Sequence, residues 1–154
     1  MQSVPANRFE PNLIFFVNSA LRGRLPLFAD DNSAKIVSDS LQFFRRNKRI
    51  LLYGFVIMPD HIHLLLRPVA PLTLPNFMRR FKNFVAHEID QGSIWDKGYW
   101  SEVVVSEKMF WSRLKYLHLN PVRAGLVAEM CDYLWTSARE WSEDIPRLLT
   151  DEIG

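Results

Sequence analysis

Two histidines separated by one residue are the most reactive feature of the sequence. His61 and His63 lie in an apolar stretch, residues 56–67, that is interrupted by Pro59 and Asp60. A run rich in Ile and Leu that is bounded by turn residues predicts a buried strand. Alternate side chains of a strand point to the same face, so both imidazoles should project from one face of a sheet. A pair held in this way on a rigid strand could bind a metal ion.

A second group of candidates lies in the segment 115–127. Tyr116 and Asn120 are four residues apart and share a face if this segment is helical. A phenol can act as a nucleophile, and an amide oxygen can bind a metal. Two imidazoles leave a catalytic metal short of protein ligands, so Asn120 is a candidate third ligand and Glu102 is the spare candidate. Because Asn120 precedes Pro121, capping a new helix is the equally weighted alternative for Asn120.

The other titratable candidates have weaker cases. His87 falls late on a predicted helix, and His118 lies on the side of its helix away from Tyr116, so we expect structural roles for both. The single cysteine, Cys131, excludes an intrachain disulfide. No basic residue near Cys131 is evident that would make it a nucleophile.

Seven predicted elements must position these residues. The apolar patterns and helix-capping residues predict strands at residues 12–18, 50–58, 61–67 and about 102–105, and helices at residues 33–47, 73–91 and 106–120. A short final element should cover residues 123–133. The brief connection at Pro59 and Asp60 makes the second and third strands an antiparallel hairpin.

The order of these elements predicts an α+β fold of the ferredoxin-like type, β-α-β-β-α-β with an antiparallel sheet. Two helices should pack on one face of the sheet, and an added C-terminal helix carries Tyr116. The opposite face would be free for a ligand or partner, with His61 and His63 lining it.

Length and composition indicate one domain covering residues 1–154, with a core at about 12–141 and a polar, loosely held tail at 142–154. The formal charge is only +2, from 19 basic and 17 acidic residues, so any basic surface must come from local clusters. No apolar run has the length of a signal peptide or a membrane span, and we therefore expect a soluble, cytoplasmic protein.

Both reactive motifs resemble segments of one known family. The His-Ile-His that follows Ile-Met-Pro-Asp resembles the His-hydrophobe-His motif of the IS200-like tyrosine transposases. The sequence Tyr-Leu-His-Leu-Asn-Pro-Val-Arg-Ala-Gly-Leu-Val, which begins at Tyr116, is similar to the nucleophile segment of their branch associated with repetitive extragenic palindromes. Residues 25–28 and 134–138 are similar to further segments of that family, so the resemblance spans about residues 12–141.

The resemblance implies a metal-dependent endonuclease and strand transferase for single-stranded DNA, acting at hairpin or palindromic sequences. Tyr116 would attack the scissile phosphate and form a 5′-phosphotyrosine link, with Mg²⁺ or Mn²⁺ held by His61, His63 and Asn120. Insertion-sequence relatives carry Gln where this chain has Asn120, whose reach is shorter. Related transposases include both monomers and homodimers, so either state is open.

Basic clusters on the predicted second helix and beyond it are the candidate DNA contacts: Arg79, Arg80, Lys82, Lys97 and Arg123. For each cluster, a solvated helix face or loop end is the alternative. The aromatic loop 95–100, which carries Lys97, could stack unpaired bases or could plug the edge of the sheet.

Three other functions fit the sequence less well. A histidine-triad hydrolase would need a further histidine at position 65, where Leu65 stands. A non-catalytic DNA-hairpin-binding protein derived from a transposase is the main alternative. Because the chain has both histidines and the tyrosine, the enzyme is favoured; a purely structural module would leave the paired motifs unexplained.

Overall fold

The computed structural model describes residues 12–142 and 149–153, and every element below belongs to these ranges. The strands are β1 (Ile14–Ala20), β2 (Ile50–Ile57), β3 (His61–Pro68) and β4 (Trp100–Val104). The helices are α1 (Asp31–Arg46), α2 (Leu74–Ile89), α3 (Glu107–Arg123) and the short α4 (Ala138–Ser142). Among these residues, no helix is long and apolar enough to cross a membrane.

The four strands form one antiparallel sheet in the order β2-β3-β1-β4. This order, with α1 between β1 and β2 and α2 between β3 and β4, is the predicted ferredoxin-like arrangement. The fold prediction is therefore confirmed, including the added helix α3 that carries Tyr116. The register places Asn18 of β1 opposite His63 of β3 on one side and opposite Trp100 of β4 on the other.

The helices begin where side chains satisfy their first free N–H groups. The carboxylate of Asp30 accepts a hydrogen bond from the Ser33 N–H at the start of α1. The hydroxyl of Thr73 accepts from Asn76 at the start of α2, and that of Ser106 accepts from Met109 at the start of α3. Such caps stabilise a helix terminus by about 1 kcal/mol each.

The main core lies between the sheet and the helices α1 and α2. Ile62, Leu64 and Leu66 point to this side of β3, as strand alternation requires. The inner face of α2 meets them with Phe77 and Phe81, which are fully buried. The remaining alternate residues of β3, including both histidines, therefore belong to the opposite face.

From the sequence we expected the opposite face of the sheet to be free. Instead, α3 packs across part of it. Phe110, Leu114 and Leu117 of α3 form a second apolar cluster with Phe16 and Leu65 of the sheet. These apolar residues recur at helical spacing along one side of α3, so burying them requires a sheet surface. What remains uncovered on this face is a cleft beside α3.

Gly54 lets α3 approach the sheet closely. A Cβ atom at this position would lie 2.5 Å from Cδ1 of Leu114, closer than two carbon atoms can approach. Gly54 also lies where the pairing of β2 with β3 shifts register, between Leu52 and Gly54, which is typical of a β-bulge. The absence of a side chain at Gly54 thus sets the distance between α3 and the sheet.

Residues 135–137 cover the outer edge of β2. The Ile57 N–H donates to the Trp135 carbonyl at 2.9 Å, and the Ser137 N–H donates to the Phe55 carbonyl at 3.0 Å. The Ser137 hydroxyl accepts a further hydrogen bond from the Phe55 N–H at 3.0 Å. This segment satisfies edge groups that would otherwise be open to pairing with another chain.

The end of the described chain is anchored, in contrast to the loosely held tail that we expected from residue 142 onward. The Asp151 N–H donates to the Leu52 carbonyl at 2.7 Å, and the Asp151 carboxylate lies 3.1 Å from Nε of Arg45. Thr150 is buried and donates to the Glu140 carboxylate at 2.6 Å. Polar residues looked loose in sequence because their partners lie far away in the chain; residues 143–148 and 154 lie outside the described residues.

Candidate functional site

A cleft of about 390 Å³ lies between α3 and the uncovered part of the sheet. Strand β1 contributes Phe16 and Asn18, strand β3 contributes His63, and strand β4 contributes Trp100. Helix α3 contributes the other wall with Arg113 and Tyr116. The cleft therefore brings one residue of each predicted motif to the same place.

His61 and His63 lie on the same face of β3, as predicted, with ring centroids 4.9 Å apart. Nδ1 of His61 lies 2.7 Å from a carboxylate oxygen of Asp60. A carboxylate accepts hydrogen bonds, so Nδ1 carries the proton that it shares with Asp60. A carboxylate partner of this kind is what orients most metal-binding imidazoles.

His63 is buried and is held in its neutral form. Burial lowers the pKa of His63 to about 3, and positive charge on His61 and Arg24 acts in the same direction. A neutral imidazole is the form that binds metal, so His63 can act as a ligand over the whole physiological pH range. A hydrogen bond to the Val17 backbone acts on this pKa in the opposite direction but does not outweigh burial.

Tyr116 lies at the mouth of the cleft with 45% of its surface exposed. Its ring is edge-on to that of His63, with centroids 5.7 Å apart, and edge-on to that of Phe16 at 6.0 Å. The guanidinium of Arg123 lies over the Tyr116 ring, 4.7 Å from its centroid. The phenol is thus accessible to a large substrate and close to the histidine pair.

Asn120 lies inside α3, one turn after Tyr116, and does not cap a new helix. The alternative of an N-cap is wrong because α3 continues through Pro121 to Arg123, and the Asn120 carbonyl accepts from the Ala124 N–H at 3.0 Å. Pro121 removes one helical hydrogen bond, but its ring is buried against the rest of the fold. The helix ends instead near Gly125, which has a φ of 76°.

Glu102, the spare candidate for a metal ligand, is paired with an arginine. Its side chain is fully buried, and Oε1 accepts from Nε of Arg113 at 2.6 Å. Sequence reasoning missed Arg113, although it precedes Tyr116 by three residues and so lies on the same side of α3. The ion pair places a guanidinium in the wall of the cleft.

The basic residues of α2 are not brought to Tyr116, since α2 packs on the other face of the sheet. Arg79 and Arg80 are exposed there. Nζ of Lys82 donates to the carbonyls of Asp96 and Gly98 at 3.2 and 2.6 Å, so it holds the aromatic loop. Lys97 is exposed in that loop, and Arg123 alone of the predicted DNA contacts touches Tyr116.

The two tryptophans of the aromatic loop have different environments. Trp95 is 8% exposed and packs into the main core, which is the plug that we considered. Trp100 is 39% exposed and lines the cleft with Tyr116. The loop therefore combines a buried anchor with an accessible aromatic surface.

The two remaining histidines differ from each other. His118 is buried, as expected for a structural residue, with Nε2 2.8 Å from Oγ of Ser137, and burial lowers its pKa to about 4. Because Ser137 is bonded to β2, this contact ties α3 to the sheet behind Tyr116. His87 is exposed, 4.0 Å from Glu88, so the expected structural role is wrong for it.

The residues around the histidine pair fit a divalent metal ion. His61 presents an oriented imidazole, and a buried polar atom without a partner, Oδ1 of Asn18, lies in the same cleft as His63. Buried polar atoms of this kind normally find a ligand, water or protein partner. In residues 12–142 and 149–153, no three His, Cys, Asp or Glu side chains form a metal-binding group.

Comparisons with known proteins agree with the fold and with the family that the sequence resembles. The REP-associated tyrosine transposase of Escherichia coli K12 is 22% identical over 90 residues, 58% of this chain and 54% of that protein. A Haemophilus influenzae protein assigned to the same group is 29% identical over 97 residues, 53% of this chain and 54% of its own length. The chain thus spans about half the length of the curated relatives that it matches.

A solved structure of a REP-associated tyrosine transposase bound to a REP hairpin superposes with a TM-score of 0.78. That likeness covers 99% of both chains at 18% sequence identity, and it shows a common fold. The family model for IS200-like transposases matches residues 17–118, which include both histidines and Tyr116. This chain belongs to the family of IS200-like transposases.

Proposed function

We propose that the chain is a metal-dependent endonuclease and strand transferase for single-stranded DNA, acting at hairpin or palindromic sequences. The observation that carries this proposal is the placement of Tyr116 beside His63 at the mouth of one cleft, with ring centroids 5.7 Å apart. A phenol that was only a packing residue would gain nothing from being 45% exposed next to a neutral, buried imidazole.

In the proposed reaction, Oη of Tyr116 attacks the scissile phosphorus of a single strand. The new Oη–P bond replaces the P–O3′ bond, the phenol proton is lost to solvent, and the departing 3′-oxygen takes up a proton. The product is a 5′-phosphotyrosine with a free 3′-hydroxyl. Because the phosphodiester is conserved in the link, a 3′-hydroxyl can attack it in turn and rejoin the strand.

His61, His63 and Asn120 would hold Mg²⁺ or Mn²⁺ in this proposal. When bound, the ion supplies neutralisation of phosphate charge, which an unactivated phenol needs at neutral pH. The chain's own contribution is to keep His63 neutral through burial and to orient His61 through the Asp60 carboxylate.

The walls of the cleft suit a single strand. Trp100 offers an exposed ring on which a base could stack, and such stacking contributes about 1–3 kcal/mol per base. Arg113 and Arg123 place guanidinium groups on either side of Tyr116 along α3 and could contact phosphates. The hairpin bound by the structurally similar transposase makes hairpin DNA the proposed partner of this chain as well.

The experiment is a covalent-adduct assay. Single-stranded oligonucleotides that carry a palindrome and are labelled at the 3′ end are incubated with Mn²⁺ and run on a denaturing gel. The wild type should shift the label into a protein-linked band that disappears with EDTA. Tyr116→Phe keeps the ring and should bind the hairpin equally well but form no adduct.

Two results would contradict the proposal. An adduct formed by Tyr116→Phe would assign the nucleophile to another residue. Hairpin binding without any adduct from the wild type, across oligonucleotides that tile the DNA on both sides of the gene, would favour a non-catalytic hairpin-binding protein.

A further inference from the structure

A buried amide oxygen without a hydrogen-bond partner lies at the cleft. Oδ1 of Asn18 is inaccessible to solvent and has no partner among the described residues. Leaving such an atom unsatisfied is costly, so its burial beside the histidine pair indicates that something else binds there.

The sheet register places Asn18 directly opposite His63. The two residues are an antiparallel pair of β1 and β3, so their side chains leave the same face of the sheet about 5 Å apart. Both line the cleft that Tyr116 closes.

An amide oxygen complements two imidazoles as a ligand. Carboxamide and other oxygen donors suit Mg²⁺ and Mn²⁺, whereas imidazole alone favours zinc, copper or nickel. Asn18 lies in the middle of a central strand, paired on both sides, so its position is fixed before metal arrives. Asn120, by contrast, lies near the end of α3, one turn before the helix stops.

We propose that Asn18 is a protein ligand of the divalent ion, supplied by β1 to the pair formed by His61 and His63. This inference rests on the proposed function, since it assigns a further ligand to the same metal site. It places three ligands on two adjacent central strands of the sheet, and Asn120 of α3 is then a fourth ligand. Helix α3 also positions Tyr116.

The test is calorimetric titration of the full chain with Mn²⁺ in the absence of DNA. Asn18→Leu replaces the amide with an apolar group of similar size and should weaken Mn²⁺ binding at least tenfold. Asn18→Asp supplies a charged oxygen at the same position and should bind Mn²⁺ at least as tightly as the wild type. Asn120→Leu is the matched control on α3 and should weaken binding less than Asn18→Leu.

Other outcomes separate this inference from the proposed function. Binding by Asn18→Leu at wild-type affinity, with His61→Ala deficient, would overturn the role of Asn18 and leave the histidine site intact; an ordered water would then be the partner of the Asn18 amide oxygen. If Asn18→Leu does not fold, weaker Mn²⁺ binding by folded Asn18→Asp than by wild type would overturn the inference. A wild type that does not bind Mn²⁺ would overturn both proposals.

Discussion

Arg123 contacts Tyr116 in two ways. Its guanidinium lies 4.7 Å from the centroid of the Tyr116 ring, and Nη1 donates to the Tyr116 carbonyl at 3.1 Å. The hydrogen bond spans two helical turns and holds the cation over the ring. A cation in this position restrains the ring at the mouth of the cleft.

Replacing Arg123 should slow formation of the covalent adduct. A cation–π contact at an exposed site contributes about 0.5–1 kcal/mol, so Arg123→Gln should lower the single-turnover rate about two- to fivefold. Lys115→Gln is the matched control, because it removes the same charge from α3 next to Tyr116, and it should leave the rate unchanged. Equal effects of the two substitutions would mean that only net charge near the cleft matters.

The histidine pair should behave as one metal site. Both rings lie on one face of β3 with centroids 4.9 Å apart, so a single ion would use both. We therefore expect His61→Ala and His63→Ala each to abolish most Mn²⁺ affinity, rather than half of the sites, in calorimetry. Wild-type binding by either variant would show that the two imidazoles do not share an ion.

Asp60 should act on the metal through His61. Asp60→Asn replaces the acceptor of the 2.7 Å hydrogen bond and no longer fixes the Nδ1–H tautomer. Loss of such a partner typically lowers metal affinity about 10–100-fold, and we expect a loss in that range for Mn²⁺. Asp39→Asn is the control for net charge. It removes an exposed carboxylate on α1 and should have no effect on Mn²⁺ affinity.

The features that could be predicted from the sequence have local physical causes. The face of His61 and His63 was predictable because strand alternation depends only on neighbouring residues. The start of α3 at Ser106 was predictable for the same reason, since a cap acts within one turn. The sheet order then followed from the order of the elements.

The features that sequence analysis missed depend on contacts between distant segments. Arg113 and Glu102 form an ion pair because α3 crosses the sheet over β4, which no local pattern states. Asn18 gains its place beside His63 from the register of β1 with β3. Pro121 continues a helix that its type would end, because tertiary packing buries it.

Stability should fall as pH falls, through His118. Burial lowers the pKa of His118 in the folded protein to about 4, while the unfolded chain titrates near 6.5. Between these values the unfolded state binds more protons, so the free energy of unfolding decreases with decreasing pH. At pH 5 the loss relative to pH 7 should be about 2 kcal/mol from this residue.

His118→Gln tests this linkage. Urea unfolding at pH 7 and pH 5 should show a smaller difference between the two pH values in the variant than in the wild type. A residual difference is expected, because burial lowers the pKa of His63 in the same direction. The same pH dependence in variant and wild type would contradict protonation of His118 as a cause.

The exposed arginines of α2 should contribute phosphate contacts if the DNA extends around the sheet edge. Arg79→Ala with Arg80→Ala should flatten the salt dependence of hairpin binding, because each lost contact lowers the logarithmic slope by about 0.7–0.9. Lys82→Ala should instead lower thermal stability, since Lys82 bonds to two carbonyls of the aromatic loop. An unchanged slope in the double variant would leave Arg79 and Arg80 as a solvated helix face.

Gly54 should control the position of Tyr116 from the opposite side of α3. A side chain here overlaps Leu114, whose Cδ1 lies 2.5 Å from the position of a Cβ, so Gly54→Val must displace α3 or strain it. Overpacking of this kind costs about 1–3 kcal/mol in the free energy of unfolding. Displacement of α3 also moves Tyr116 away from His63, so adduct formation should fall although no residue of the cleft has changed.

A double-mutant cycle tests whether the clash with Leu114 causes the destabilisation by Gly54→Val. Leu114→Ala removes the clashing atoms, so Gly54→Val should destabilise the Leu114→Ala protein less than the wild type, by at least about 0.5 kcal/mol in urea unfolding. Val85→Ala, on α2 in the main core, should combine with Gly54→Val additively. Additivity with both Leu114→Ala and Val85→Ala would mean that the cost of Gly54→Val arises in the β2 backbone, and that α3 does not depend on this glycine for its height above the sheet.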